Sequence, residues 1–258
     1  MIATGRTKVG RVPHAVVAAI ATAWAVAIAA EATGTARLVH HDTLVHAHLH
    51  LWVTASLFVL AWQLMIAAMM LPSSLPMIRS FGVASAAQPR PQRAMAGLLI
   101  GYALVWSVFG LVAFVGDVGL HRLVHDWAWL GAHQFVIAGS VLIMAGAFQF
   151  SGLKDRCLSE CRHPGPFLVQ HYGRGEAAAL RLGVAHGRFC VGCCWALMLV
   201  GFAAGVASLW WMAALTAVMV VEKTSRNGER WVRPIGCWLI ALGLLALALP
   251  TLPLFAAR

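Results

Sequence analysis

Between Phe189 and Val221 the chain carries no charged side chain. As a single helix that stretch would be roughly 50 Å long, against a bilayer hydrocarbon core of ~30 Å. It is too apolar to face water and too long for one crossing, so it predicts a fold-back. Gly201, Gly205 and Ser208 offer the turn, and the two arms are short helices. One tilted helix is the alternative. Searching for other uncharged runs of similar size gives seven segments in all: 13–30, 51–71, 94–116, 132–150, 189–205, 207–221 and 234–250. Composition excludes a soluble alternative, because 60% of the 258 residues are hydrophobic, only 11% are charged and the mean hydropathy is +0.78. The expected fold class is therefore all-α: a polytopic transmembrane helix bundle of about seven helices, or six if the long stretch stays single. It forms one domain over 1–258, with an inner loop at about 151–188 and a His-rich outer loop at about 31–50.

Basic residues in short loops favour the cytoplasmic side, which fixes an expected orientation. With the N-terminus cytoplasmic, Arg6, Lys8, Arg11, Arg79, Arg90, Arg93, Lys154, Arg156, Arg162, Arg174, Arg181, Arg188, Lys223, Arg226, Arg230 and Arg233 fall inside. Only Arg37, Arg122 and Arg258 of the 19 basic residues fall outside. A single helix over 189–221 would export Lys223 through Arg233, so the charge split also supports the fold-back. The net charge of +10 is then a topology signal and a source of attraction to anionic lipid, and no nucleic-acid partner is expected. The first segment, with its basic start and Ala29, Ala30 and Ala32 at its end, also fits a cleaved secretory signal.

The six cysteines, Cys157, Cys161, Cys190, Cys193, Cys194 and Cys237, all fall on the inner side of this map. That compartment is reducing, so free thiols are expected and not a disulfide framework. The densest group is His186, Cys190, Cys193 and Cys194, which at about 100° per residue share an arc of about 80° on one helix, with Met198 at its edge. Thiolate and thioether ligands suit Cu(I), and thiolate with imidazole also suits Zn(II). The competing reading is packing, since Gly183, Gly187, Gly201 and Gly205 share the same face and small residues allow close helix approach.

Cys157 and Cys161 form an i, i+4 pair beyond segment four. Met65, Met69 and Met70 lie at matching depth on segment two, which is expected to end at Pro72. Glu222 closes segment six, where it could pair with the adjacent Lys223 at the interface or orient a ligand. On the outer side His40, His41, His46, His48 and His50 precede segment two, and the second outer loop carries His121 and His125, with His133 at the start of segment four. Of these, His46, His48, His50, His121 and His125 form a secondary candidate for metal capture.

These residues carry a resemblance. Trp62-Gln-Leu-Met65 to Met69-Met70-Leu-Pro72, Gly101-Tyr102 with Trp106, Gln149 with Lys154, Cys157, Cys161-Arg162 and Pro164, His186-Gly187, Cys190 to Met198, Trp211-Met212 and Glu222-Lys223 are similar to a bacterial family of predicted metal-binding integral membrane proteins, a domain of unknown function. The likeness covers most of the chain from segment two onward, and Cys190 to Met198 is its most specific part. It departs at Ser208, where the family usually has asparagine, and it does not include the outer histidine tract.

The favoured expectation is an integral protein of the bacterial cytoplasmic membrane. It binds a soft metal, Cu(I) ahead of Zn(II), near the inner leaflet for handling, transport or delivery to a partner metalloenzyme or metallochaperone. A thiol-disulfide redox protein, using the Cys190/Cys193 spacing, and a non-catalytic assembly subunit are the alternatives. No catalytic motif is present: the sequence has no phosphate-binding loop, no Gly-x-Ser-x-Gly and no His-Glu-x-x-His.

Overall fold

An apolar chain that cannot hand its peptide groups to water must satisfy them within the chain, and helices do so locally. The computed structural model describes residues 12–35, 51–203 and 209–249. Among the described residues there are ten helices and no strand: α1 (His14–Ala32), α2 (Leu51–Ser85), α3 (Pro91–Asp126), α4 (Ala128–Ala132), α5 (Gln134–Phe148), α6 (Gly152–Arg162), α7 (Pro164–His171), α8 (Glu176–Ala203), α9 (Leu209–Thr224) and α10 (Glu229–Ala248). The seven apolar segments lie chiefly in α1, α2, α3, α5, α8, α9 and α10.

Fewer of these helices are long enough to cross a bilayer than the expected seven. Five are long and apolar enough: α1, the Ser56–Ser85 part of α2, α3, the Glu176–Gly201 part of α8, and α10. A sixth is obtained if α5 and α6, bent by 66° at their junction, are taken as one broken span. With 16 residues, α9 is about 24 Å long and falls short of the ~30 Å core.

Two other boundaries differ for identifiable reasons. Segment two does not end at Pro72: α2 continues through Pro72 and Pro76 to Ser85. Proline cannot donate to the carbonyl four residues back, which for Pro72 is that of Ala68. The indole of Trp24 on α1 donates to that carbonyl instead, at 3.0 Å, so the helix keeps its hydrogen bonding across the proline. The expected inner loop at about 151–188 is mostly helical as well, forming α6, α7 and the first turns of α8. Ser151 caps α6 by accepting the Lys154 N–H at 3.1 Å. Its apolar positions were too few to stand out as a membrane segment.

Glycine sets the closest helix crossings. A Cβ at Gly101 would collide with the Leu180 carbonyl, and one at Gly183 with the Leu98 backbone, so α3 and α8 run side by side at backbone contact. A Cβ at Gly146 would lie 2.7 Å from the Gly236 carbonyl and one at Gly139 3.0 Å from the Gly243 carbonyl, which seats α5 on α10 in the same way. The expected fold-back is realised, since Lys223 near the end of α9 reaches Cys190 in the middle of α8. Its turn at 204–208, including Gly205 and Ser208, lies outside the described residues. Along the outward face of α3, Ile100, Leu104, Val108, Val112 and Val115 are all exposed.

Candidate functional site

The site is built outward from α8. Cys190, Cys193 and Cys194 are buried, held there because the glycines at 183 and 187 bring this helix against α3. The thiols of Cys193 and Cys194 both donate to the Cys190 carbonyl, at 3.1 and 2.9 Å, which fixes their direction. The packing reading and the ligand reading of this face therefore describe consecutive parts of one helix.

Three helices bring sulfur to this point. From α2, Met70 Sδ lies 3.9 Å from Cys194 Sγ, and Met65 and Met69 are buried in the same cluster. From α6, the face repeating at Lys154, Cys157, Leu158 and Cys161 is buried, the i, i+3, i+4, i+7 pattern of an amphipathic helix. It places Cys161 Sγ 3.9 Å from Cys193 Sγ. Cys157 lies against Gly192, where a Cβ would meet its sulfur. Met198, one turn past Cys194, is also buried. All six thiols are unpaired, and the sixth, Cys237 on α10, is exposed and outside this cluster.

The polar side of the site was not legible as such. Tyr102 on α3 sets its hydroxyl 3.1 Å from Cys190 Sγ and 3.2 Å from Ser74 on α2. Lys223, at the end of α9, places its ammonium 3.1 Å from Cys190 Sγ, 3.8 Å from Cys194 Sγ and 3.2 Å from Ser73 Oγ. Glu222 does not form the expected interfacial pair with Lys223. It is buried and pairs with Lys154 of α6 at 2.6 Å, while Gln149 donates to its other oxygen at 3.2 Å. Adjacent residues on a helix point about 100° apart, so these two charges reach different partners. Arg162, also on α6, donates to the Glu222 and Ser225 carbonyls and closes this end.

His186 sits one turn before Cys190 and is buried. Its ring stacks on Tyr102, with centroids 5.6 Å apart and planes at 25°, and meets Phe167 edge-on at 5.9 Å. Its Nε2 has no hydrogen-bond partner among the described residues. It also lines a narrow cavity with Ser74, Met77 and Tyr102.

Of the outer histidines, those among the described residues lie beside polar atoms close in sequence. His121 Nδ1 lies 3.0 Å from the Asp117 carbonyl on its own helix, and His125 Nδ1 lies 3.3 Å from the neighbouring Asp126 carboxylate. His46, His48 and His50, with His40 and His41, lie outside the described residues. Among the described residues no three His, Cys, Asp or Glu side chains converge on one metal position.

Comparison with known proteins gives one family. A family model described as PpoB2, copper chaperone, matches residues 59–246. That span contains every sulfur named above and Lys223, and leaves out the histidines at 40–50. No curated protein and no solved structure matches the chain.

Proposed function

Because the chain belongs to the PpoB2 copper chaperone family, we propose that it binds Cu(I) at Cys190 and Cys194 and delivers the ion to a partner metalloenzyme. The observation that carries this reading is the meeting of soft donors from α2, α6 and α8, with Met70 Sδ 3.9 Å from Cys194 and Cys161 Sγ 3.9 Å from Cys193. Thiolate and thioether together select Cu(I), whereas structural Zn(II) takes four N, S or O ligands in a closed tetrahedron, and thioether is not among them. The donor set fits a monovalent soft ion as cargo.

In this reading Cys190 and Cys194 hold the ion and Met70 stands beside it. Cys193, Cys161 and Cys157 offer the next sulfurs, and Met65, Met69 and Met198 line the cluster. His186, whose Nε2 has no hydrogen-bond partner among the described residues and which helps line the small cavity, borders the cluster. We locate the protein in the bacterial cytoplasmic membrane as a multi-pass protein with its N-terminus and sulfur cluster toward the cytoplasm. Support comes from the apolar exterior of α3, the five or six helices long enough to cross, and the bias of basic residues to one side.

The test is metal analysis of detergent-purified protein after anaerobic loading with Cu(I). About one equivalent retained by wild type, and background levels in Cys190→Ser and Cys194→Ser, is the expected result. Equal copper in all three removes the proposal. A second reading, thiol-disulfide exchange, draws on the Cys161–Cys193 contact; mass shifts after thiol labelling of protein from aerobic cells would reveal that pair oxidised.

A further inference from the structure

Lys223 is the unexplained group of the site. An ammonium removed from water needs a compensating charge or its desolvation cost stands. The other buried cation of this end, Lys154, has Glu222 at 2.6 Å, so those two charges cancel. Lys223 is 4% exposed, and among the described residues no carboxylate pairs with it. Its contacts are a hydroxyl and two thiols: Ser73 Oγ at 3.2 Å, Cys190 Sγ at 3.1 Å and Cys194 Sγ at 3.8 Å. Three helices converge to hold it there: α2 supplies Ser73, α8 the thiols and α9 the lysine itself. Among the described residues its contacts therefore leave sulfur as the counter-charge.

We propose that Lys223 is the fixed counter-cation of the copper site and makes the site selective for a monovalent ion. This rests on the copper-binding reading and names what sets its valence. When Cu(I) binds between Cys190 and Cys194, two Cu–S bonds form and no electron moves. Any thiol that enters protonated releases its proton to water. Two thiolates and one Cu(I) sum to a charge of minus one, which the ammonium cancels. A divalent ion between the same two sulfurs gives a neutral complex and leaves the buried ammonium uncompensated. In a low-dielectric interior that uncompensated charge weighs against the divalent ion. Sulfur softness selects copper from hard cations, and Lys223 adds discrimination among soft ions by charge.

The experiment compares Cu(I) with Cd(II), both soft and differing in charge, each titrated into purified full-length protein against a chromophoric chelator. Lys223→Met and Lys223→Gln remove the charge at similar length; Lys223→Arg keeps it. The uncharged variants should bind Cu(I) at least about tenfold more weakly and Cd(II) no more weakly, so that the Cu(I)-to-Cd(II) preference falls, while Lys223→Arg stays within about threefold of wild type. An unchanged preference in a folded uncharged variant overturns the inference. If neither uncharged variant folds, wild type decides: retention of Cd(II) as strongly as Cu(I) overturns it, and strong preference for Cu(I) supports it. Cys190→Ser separates the two levels. If it loses copper while the uncharged Lys223 variants keep wild-type preference, only the charge rule fails; if it binds copper as wild type does, the site assignment fails with it.

Discussion

Helix α3 passes two groups of metal-philic residues, and they are built differently. In its first half the Tyr102 hydroxyl meets Cys190 of α8 and Ser74 of α2, residues 88 and 28 positions away in sequence. At its far end His121 turns to the Asp117 carbonyl of the same helix, and His125 to its neighbour Asp126. His133 follows the same habit, with Nδ1 2.7 Å from the Trp129 carbonyl and its ring stacked on Trp129 at 4.6 Å. Each of these three contacts closes within four residues of the chain. The sulfur end is instead assembled from distant elements, so it is sensitive to anything that separates them, whereas these local histidine contacts need only the turn of chain that carries them.

The sharpest way to break this contrast is to remove one carboxylate at each end. Glu222→Gln leaves Lys154 buried without its partner and should cost about 3–5 kcal/mol, because an uncompensated interior charge is the expensive outcome. Thermal unfolding in detergent should show a large drop in midpoint, with copper retention lost alongside. Asp126→Asn, in a pair with both side chains mostly exposed, should leave the midpoint where it was. Similar shifts for the two variants would mean that the sulfur end is no more interdependent than the other.

Two glycines on α3 sharpen the same comparison at smaller scale. A methyl at Gly101 has to displace the Leu180 backbone, whereas at Gly116 no atom of the described residues lies within 4 Å of where a Cβ would sit. Gly101→Ala should therefore destabilise by about 1–3 kcal/mol through overpacking, and it should loosen copper binding because α8 carries the thiols. Gly116→Ala should stabilise by about 0.5–1 kcal/mol, the ordinary gain from replacing glycine inside a helix. Chemical unfolding in a fixed detergent reads both signs, and the same sign for both would show that α3 and α8 do not depend on their close approach.

What the sequence disclosed follows the same division between local and distant. Helix content, the fold-back between α8 and α9 and the shared face of Cys190, Cys193 and Cys194 are consequences of local periodicity and were legible. So was the pairing of Cys157 with Cys161 on one side of α6, because an i, i+4 spacing needs only the helix to continue. The passage of α2 through Pro72 was not, since the carbonyl it frees is taken by Trp24, 44 residues earlier. Lys223 is not legible as a neighbour of the thiols, because a Glu-Lys doublet ending an apolar helix reads as an interfacial pair. Only the packed bundle shows that α6 supplies Lys154 to Glu222 and thereby turns Lys223 over to the thiols.

The smallest expected effect is the one that tests the histidine end directly. The paired substitution His121→Ala with His125→Ala removes two imidazoles at i, i+4, a spacing able to grip a divalent ion on a helix surface. In the structure each has a nitrogen beside a nearby oxygen, and among the described residues no three His, Cys, Asp or Glu side chains are placed to hold one ion. Two weakly presented nitrogens do not compete with a buried pair of thiolates for Cu(I). Copper retained per chain after loading should therefore match wild type within a factor of about two, and the unfolding midpoint should not move. Loss of half or more of the copper would shift the binding function to this end of α3 and leave the sulfur cluster as packing.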